Sequence, residues 1–376
     1  MSASEREQVR VLVGIPEKGS RGGPAACEPP FIRELRKFGV EVAEETYAYA
    51  DTQLGFTNRV ARVLSTARRF REHVRRNTFD IVHINSSFDT RALLRDVVIV
   101  PRLRSAHSRI FLKFHGSDAR LLETRNPALS FLRHRLLGRV GGIGVLSSEE
   151  RANFLRAGIP ERKLFQVKNV VERNIHGRKE EFFRRWELSD DRPLLLFIGR
   201  FIPTKGLLDV IRACTLLRDR GQKCMLLCLG DGPVRSDAEA EVERHGLQKS
   251  VRFFGYIPER QTVEFYASST ILLFPTYHYE GFPMVIFNAA AAGLPIITTR
   301  IRAAADYLKE PDNCLWVEPK RPDMLAEKII QVLESPELRA RMSSNNRQLA
   351  EQFSAECVTR EYVEIYKQLA SVDVIV

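Results

Sequence analysis

Short runs rich in Val, Ile, Leu and Phe recur along this chain, each followed by a longer stretch with apolar residues at helical spacing. Strands buried on both faces read as near-continuous apolar runs, and a parallel pair needs a long crossover, usually a helix. The fold class is therefore α/β. In the first half, strands are expected near residues 9–15, 40–47, 79–85, 109–115, 143–146 and 164–168, with helices such as 29–38 and 59–76 between them. After a charged, weakly apolar stretch at 172–192, a second series runs through 194–199, 225–230, 251–255, 271–274 and 295–298. Two doubly wound parallel sheets in tandem are implied: an N-terminal domain over residues 1–175 and a C-terminal domain over 176–354. Open α/β sheets bind ligands outside their strand C-termini, so the two domains are expected to face each other across a cleft. A last helical pattern, at about 355–370, is expected to pack back on the first domain.

A length of 376 residues suffices for two such cores, and 44% apolar with 28% charged residues excludes disorder, collagen and coiled coil. Lys and Arg number 58 against 47 Asp and Glu, but residues 1–175 hold 31 basic and 19 acidic side chains, whereas 176–376 hold 27 and 28. Only the N-terminal half is basic, which points to a polyanionic partner: nucleic acid, an acidic membrane surface or a phosphorylated substrate. Six cysteines in a chain this size do not make a disulfide framework, and Cys224 and Cys228 miss the zinc and thioredoxin spacings. The opening MSASEREQVR lacks the apolar centre of a signal peptide, and no apolar stretch approaches the roughly 20 residues that span a bilayer. A cytoplasmic protein is expected, able at most to lie on a membrane.

Several chemistries are disfavoured by what is missing. Gly141-Gly142-Ile143-Gly144 lacks the third glycine of a dinucleotide fingerprint, and Gly230-Asp231-Gly232 is followed by Arg235 where that glycine would stand. The span 14–19 has Walker spacing but runs into Ser20-Arg21, and neither H-E-x-x-H nor G-x-S-x-G occurs.

Two segments carry more. In FIGRFIPTKG, residues 197–206, a buried strand ends at Gly199, and Arg200 and Lys205 sit on the turn into the next helix, where backbone N–H groups already favour an anion. Two cations there suit a diphosphate; solvated surface charges are the competing reading. In TYHYEGFPMVIFNAAAAGLPIITT, residues 276–299, Glu280 lies on a loop, Gly281 permits close backbone approach, and a small-residue helix points its N-terminus into the same region. The alanines at 289–292 are explained by close helix–sheet packing.

Together, GRFIPTKG, the GDGP at Gly230–Pro233, FFGYIP at Phe253–Pro258, and EGFP followed by AAGLP resemble the retaining glycosyltransferases of the GT-B fold. More narrowly they resemble family GT4, which includes bacterial lipopolysaccharide, capsule and mannosyl transferases. The likeness spans essentially the whole chain and is strongest over 194–299. It implies that Arg200 and Lys205 bind the nucleotide diphosphate and that Glu280 is the first acid of an E-x7-E motif contacting the donor sugar, flanked by Gly281, Phe282 and Pro283. The second acid falls at Asn288, a departure: the family's Glu accepts hydrogen bonds from the ribose, and Asn offers only an uncharged carbonyl. The nucleobase would rest against 255–258, with Tyr256 and Ile257 as candidates; packing at a strand end explains those side chains equally well.

In the N-terminal half, GIPEKGSRGGPA at 14–25 resembles the glycine loop beneath the donor phosphates, with Gly22 and Gly23 permitting close approach and Lys18 and Arg21 adding charge toward the acceptor. His115, in HGSD, resembles the family's histidine facing the donor sugar. Asp118 could orient that histidine, meet the acceptor or cap the next helix. Asn169, in VKNVVE, matches the start of an N-G-V-D turn, but Val170 replaces the glycine.

The helix at 59–76 is amphipathic and strongly basic, with apolar Val60, Val63, Leu64, Ala67, Phe70 and Val74, and a second basic-apolar stretch spans 121–139. Such segments could lie on anionic lipid, or bury one stripe and solvate the other. With only Phe70 among the arginines, direct nucleic-acid binding ranks last.

The resulting expectation is a metal-independent, retaining transfer of a sugar from a nucleotide-diphosphate donor to a saccharide or lipid-linked acceptor in cell-surface glycan or glycolipid synthesis. No cofactor is expected. No D-x-D occurs to hold a divalent ion, so Arg200, Lys205 and the helix after Glu280 would take up the leaving charge. A nucleotide-sugar 2-epimerase and an inactive nucleotide-sugar-binding relative are the alternatives, the latter resting on Asn288.

Overall fold

The computed structural model describes residues 9–20, 22–48, 55–103, 109–172 and 179–371. The chain divides into two compact units. The first comprises Met1–Val170, Tyr279–Phe282 and Ala355–Val376, the second Val171–His278 and Pro283–Ser354.

The first unit holds a six-stranded sheet of β1 (Arg10–Pro16), β2 (Glu41–Ala48), β3 (Ile81–Phe88), β4 (Ile110–Ser117), β5 (Gly142–Val145) and β6 (Leu164–Gln166). Their order is β2-β1-β3-β4-β5-β6, and every pair is parallel. The second unit repeats the plan with β7 (Leu194–Ile198), β8 (Met225–Leu229), β9 (Val251–Gly255), β10 (Ile271–Phe274), β11 (Ile296–Thr298) and β12 (Cys314–Trp316), ordered β12-β11-β10-β7-β8-β9. In such sheets the ligand crevice lies where the strand order reverses. That point falls between β1 and β3 in the first sheet and between β7 and β10 in the second. The loops after β7 and β10 carry the two most informative sequence segments.

The strands formed where continuous apolar runs placed them, because helices cover both faces: Val11, Leu12 and Val13, and likewise Leu195, Leu196 and Phe197, are fully buried. β12 was not expected from the sequence. The first helix runs Gly23–Lys37, six residues earlier than the expected start, with Pro29 and Pro30 inside it. Paired prolines read as a start signal because each removes a helical N–H. The basic-apolar stretch at 121–139 splits into Ala119–Leu122 and Pro127–Leu137. Asn126 caps the second helix, its Oδ1 accepting from Leu129 N at 3.1 Å.

The last helix, Ala355–Ser371, packs within the first unit. Tyr366 OH lies 2.5 Å from His83 Nδ1, and the Tyr362 ring stacks on His83 with centroids 5.7 Å apart. All six cysteines are free. Among the described residues, no helix is long and apolar enough to cross a membrane.

Candidate active site

In the second unit, β7 delivers Arg200 and Lys205. The turn between them is braced by the GDGP segment: Gly199 N donates to Leu229 O (3.0 Å) and Phe201 N to Asp231 O (2.8 Å). A Cβ on Gly230 would lie 1.9 Å from Gly199 O, so only glycine permits this approach. The loop after β10 is stitched to the same turn. Tyr277 N donates to Thr204 O (2.9 Å), Tyr277 OH to Pro203 O (2.6 Å), and Thr204 Oγ1 lies 3.0 Å from His278 Nδ1.

Arg200 is exposed, whereas Lys205 is buried with its ammonium 5.0 Å from the centre of the Phe274 ring. Burial, reinforced by the Arg200 guanidinium, pushes Lys205 down to about 7. His278 is pushed down to about 4 by burial and then by Lys205, Arg200 and Arg302. A cluster of basic groups that depress one another's protonation favours an anion at this turn. His278 and Thr204 were not singled out from sequence, although His278 stands two residues before Glu280 in the same segment.

Also in this unit, Asn288 donates from Nδ2 to Glu259 Oε1 at 3.0 Å. Glu259 opens the helix Glu259–Ser268, directly after the Tyr256-Ile257 turn. Burial raises its carboxyl above the usual range. Tyr256 is half-exposed, while Ile257 packs on the second unit's core. Ala289 and Ala290 are fully buried in that core. Pro283 is buried just before the helix Met284–Ala292.

In the first unit, His115 lies on β4 and is largely buried. Asn85 Nδ2 donates to Gly14 O (3.1 Å), which turns Asn85 Oδ1 toward His115 Nε2 at 2.9 Å. The proton is therefore assigned to Nε2, and Nδ1 is a bare acceptor with no hydrogen-bond partner. Burial, then Lys113 and His83, push this imidazole well below its ordinary pKa. The Glu280 segment belongs to this unit. A Cβ on Gly281 would come within 2.5 Å of His115 O, so glycine is required there, and Phe282 beside it is buried. Glu28 Oε1 accepts from Lys113 Nζ at 3.0 Å and lies 3.5 Å from His115 Nε2, both acid and amine being almost wholly buried.

Other predicted residues fall differently. Gly22 adopts φ +104° ahead of the first helix, which Gly23 begins. Lys18 is exposed on the loop after β1; Arg21 lies outside the described residues. Asp118 caps the helix Ala119–Leu122, accepting from Arg120 N at 3.0 Å and pairing with its guanidinium. Asn169 is buried with Oδ1 unpartnered. Cys27, Glu28 and His115 bring potential ligand atoms within 4.8 Å of one another. The Lys113 ammonium already occupies Glu28, and burial holds the Cys27 thiol protonated, so this set is poorly suited to a cation.

Residues 178–349 match the family model for glycosyl transferases group 1, and residues 29–174 that for glycosyltransferase family 4. An alpha-D-kanosaminyltransferase of Streptomyces kanamyceticus is 24% identical over 285 residues, 74% of this chain and 73% of the relative. Among solved structures, a glycosyltransferase from Rickettsia africae superposes with TM-score 0.79 at 18% identity, over 98% of this chain and 100% of its own. An Anabaena protein solved with UDP and glucose superposes with TM-score 0.73 at 16% identity, over 96% and 100%. Two parallel sheets that present their site loops at the strand-order reversals, and family models that together cover most of the sequence, agree: the chain is a glycosyltransferase and belongs to family 4, with the GT-B fold.

Proposed function

We propose that this enzyme transfers a sugar from a nucleotide-diphosphate donor to a saccharide or lipid-linked acceptor, with retention at the anomeric carbon and without a metal, in the synthesis of cell-surface glycans or glycolipids. The carrying observation is the basic cluster of Arg200, Lys205 and His278 at the end of β7. When the anomeric C–O bond breaks, its electron pair leaves on the diphosphate, and groups that meet that charge lower the barrier. Lys205 enters poised near neutrality and gains a proton as the dianion arrives. Arg200 supplies a permanent charge, and His278 stays neutral to hydrogen-bond. Glu280 orients the donor sugar, and His115 presents an acceptor nitrogen to a sugar hydroxyl. Glu259 replaces the ribose-binding carboxylate missing at position 288, Asn288 holding it in place. The test is a calorimetric titration with UDP-, GDP-, ADP- and dTDP-sugars, with and without magnesium. Binding of one of them without metal, abolished in Arg200→Ala, is expected; a strict magnesium requirement would count against the reading.

The acceptor side of this reading includes an anionic membrane surface. In the helix Phe56–Arg76, Ala67 and Phe70 are buried, but Val60 and Leu64, expected on the same apolar face, are exposed, as is Phe56 at 81%. These three residues, at i, i+4 and i+8, form a second apolar stripe among seven arginines and one glutamate. Phe131 and Leu94, on neighbouring helices of this unit, are exposed as well. Apolar side chains ringed by arginine suit a bilayer with anionic headgroups, each nearby cation contributing about 1 kcal/mol. Co-sedimentation with phosphatidylglycerol vesicles but not phosphatidylcholine vesicles, lost in Phe56→Ser/Leu64→Ser, is the expected result; equal sedimentation of the variant removes the membrane from the proposal.

A further inference from the structure

In the second unit, Thr204 stands in the one-turn segment Pro203–Lys205 that ends on the buried lysine. Its backbone oxygen accepts from Tyr277 N at 2.9 Å and from Thr276 Oγ1 at 3.3 Å, and Thr276 Oγ1 in turn accepts from His278 N at 3.2 Å. Gly206, just beyond the segment, adopts φ +79°, and a Cβ there would lie 2.6 Å from Pro275 O, so this turn is pressed onto the loop after β10. The backbone is thereby fixed on both sides of one side-chain pair, Thr204 Oγ1 and His278 Nδ1, 3.0 Å apart. The charged groups facing the ring are Lys205, Arg200 and Arg302, all of them basic, and with burial they keep the imidazole neutral well below pH 7.

We infer that Thr204 is a positioning residue for the transfer: its hydroxyl donates to His278 Nδ1 in the loaded site, so that the single ring proton sits on Nε2 and is offered to an oxygen of the nucleoside diphosphate. This rests on the diphosphate reading of the basic cluster. A neutral imidazole has one N–H and one bare nitrogen, and the partner of one nitrogen decides the role of the other. The protein engages Nδ1, whereas among the described residues Nε2 meets no hydrogen-bond partner. Phosphate oxygens only accept, so a bare Nε2 would set its lone pair against theirs, and only the Nε2–H form serves them. A threonine hydroxyl can donate or accept, which keeps the Thr204–His278 bond intact whichever nitrogen carries the proton; the arriving oxyanion decides it. A neutral N–H suits this place better than a further charge, since it adds a hydrogen bond to the ligand without adding to the repulsion among three cations. Valine at 204 would keep the branched shape but neither donate nor accept, leaving Nδ1 unpartnered and the ring free to turn.

The experiment labels the full chain with 15N-histidine and assigns His278 among the eight histidines by the signals lost in His278→Gln. Ring nitrogen shifts are then recorded at pH 8 with whichever of UDP, GDP, ADP and dTDP binds most tightly. In that complex Nε2 is expected at the position of a protonated nitrogen and Nδ1 at that of a hydrogen-bonded bare one. Thr204→Val should weaken the same diphosphate roughly tenfold and shift both ring signals, whereas Thr204→Ser, which keeps the hydroxyl, should restore the parent shifts and come within about threefold of the parent affinity. A bare Nε2 or a doubly protonated ring in the complex overturns the inference. So does undiminished binding in a folded Thr204→Val protein, or an equal loss in Thr204→Ser, which would assign the effect to the methyl group. Should Thr204→Val fail to fold, the ring shifts of the unmutated complex decide the matter. Binding of none of the four diphosphates removes the donor reading and this inference with it, whereas diphosphate binding with the wrong ring form removes only the role of Thr204.

Discussion

Asn288 donates its side-chain amide to Glu259 across 3.0 Å, 29 residues away in sequence. The family pattern places a carboxylate at 288; here an amide stands there and a carboxylate is held beside it. On the reading proposed above, that carboxylate takes over the ribose contact. Glu259→Gln is therefore expected to weaken nucleoside diphosphate binding by roughly tenfold, the scale of one charge-assisted hydrogen bond.

Restoring the family residue should do harm. In Asn288→Glu two carboxylates would stand about 3 Å apart, one of them, Glu259, already pushed above its usual pKa by burial. Because Glu259 is nonetheless an exposed residue, the variant is expected to lose about 0.5 kcal/mol of stability at pH 8 and to regain part of it as pH falls and the pair takes up a proton. Thermal melts between pH 5 and 8 check this; an unchanged or higher melting temperature at pH 8 contradicts the pairing.

The basic cluster makes a linked pair of predictions. Lys205→Met should weaken diphosphate binding by one to two orders of magnitude while stabilising the ligand-free protein, because it removes a buried amine pressed toward neutrality. Arg200→Ala, on an exposed side chain, should weaken binding comparably and leave the melting temperature within a degree or two. Equal stability losses in both would mean that Lys205 is a packing residue.

Binding should also take up protons. Lys205 sits at about 7, against an ordinary value near 10.4, and an arriving dianion raises it. At pH 7 roughly half of the amine is neutral, so up to about half a proton is absorbed on binding. Affinity rises as pH falls toward 7 and then levels, since His278 stays uncharged until about 4. The ligand-free protein shows the opposite trend: a depressed lysine costs stability below its folded pKa, so this unit gains stability as pH rises from 7 toward 10. Calorimetry in buffers of different ionisation heat reads the uptake; a buffer-independent enthalpy at pH 7 would exclude it.

What was legible in the sequence follows from the range of the interactions concerned. The parallel strands were readable because burial on both faces writes itself into consecutive residues such as Leu194–Ile198. Arg200 and Lys205 were readable because one turn carries both. His278 and Glu259 were not, because their roles depend on Thr204, 74 residues away, and on Asn288. The outward face of Val60 and Leu64 was hidden for a related reason. A helical repeat gives the spacing of a stripe, whereas which stripe meets the sheet is set by neighbouring helices.

In the first unit the Glu28–Lys113 pair spans 85 residues and lies almost entirely out of water. Burial alone would lower the lysine, but the facing carboxylate outweighs it and raises Lys113 above its ordinary value. A raised amine contributes its stability below its unfolded pKa and loses it only as pH climbs through the folded value, so the pair stays closed across the physiological range. Removing one partner leaves an uncompensated buried charge. Lys113→Met and Glu28→Leu should each cost about 3–5 kcal/mol, whereas the double variant should recover most of that, since apolar replacements of a buried pair are often neutral. A double-mutant cycle by urea denaturation measures the coupling. If it exceeds about 2 kcal/mol, the pair acts as a unit. Additive losses would instead mean that the two charges are solvated separately in solution.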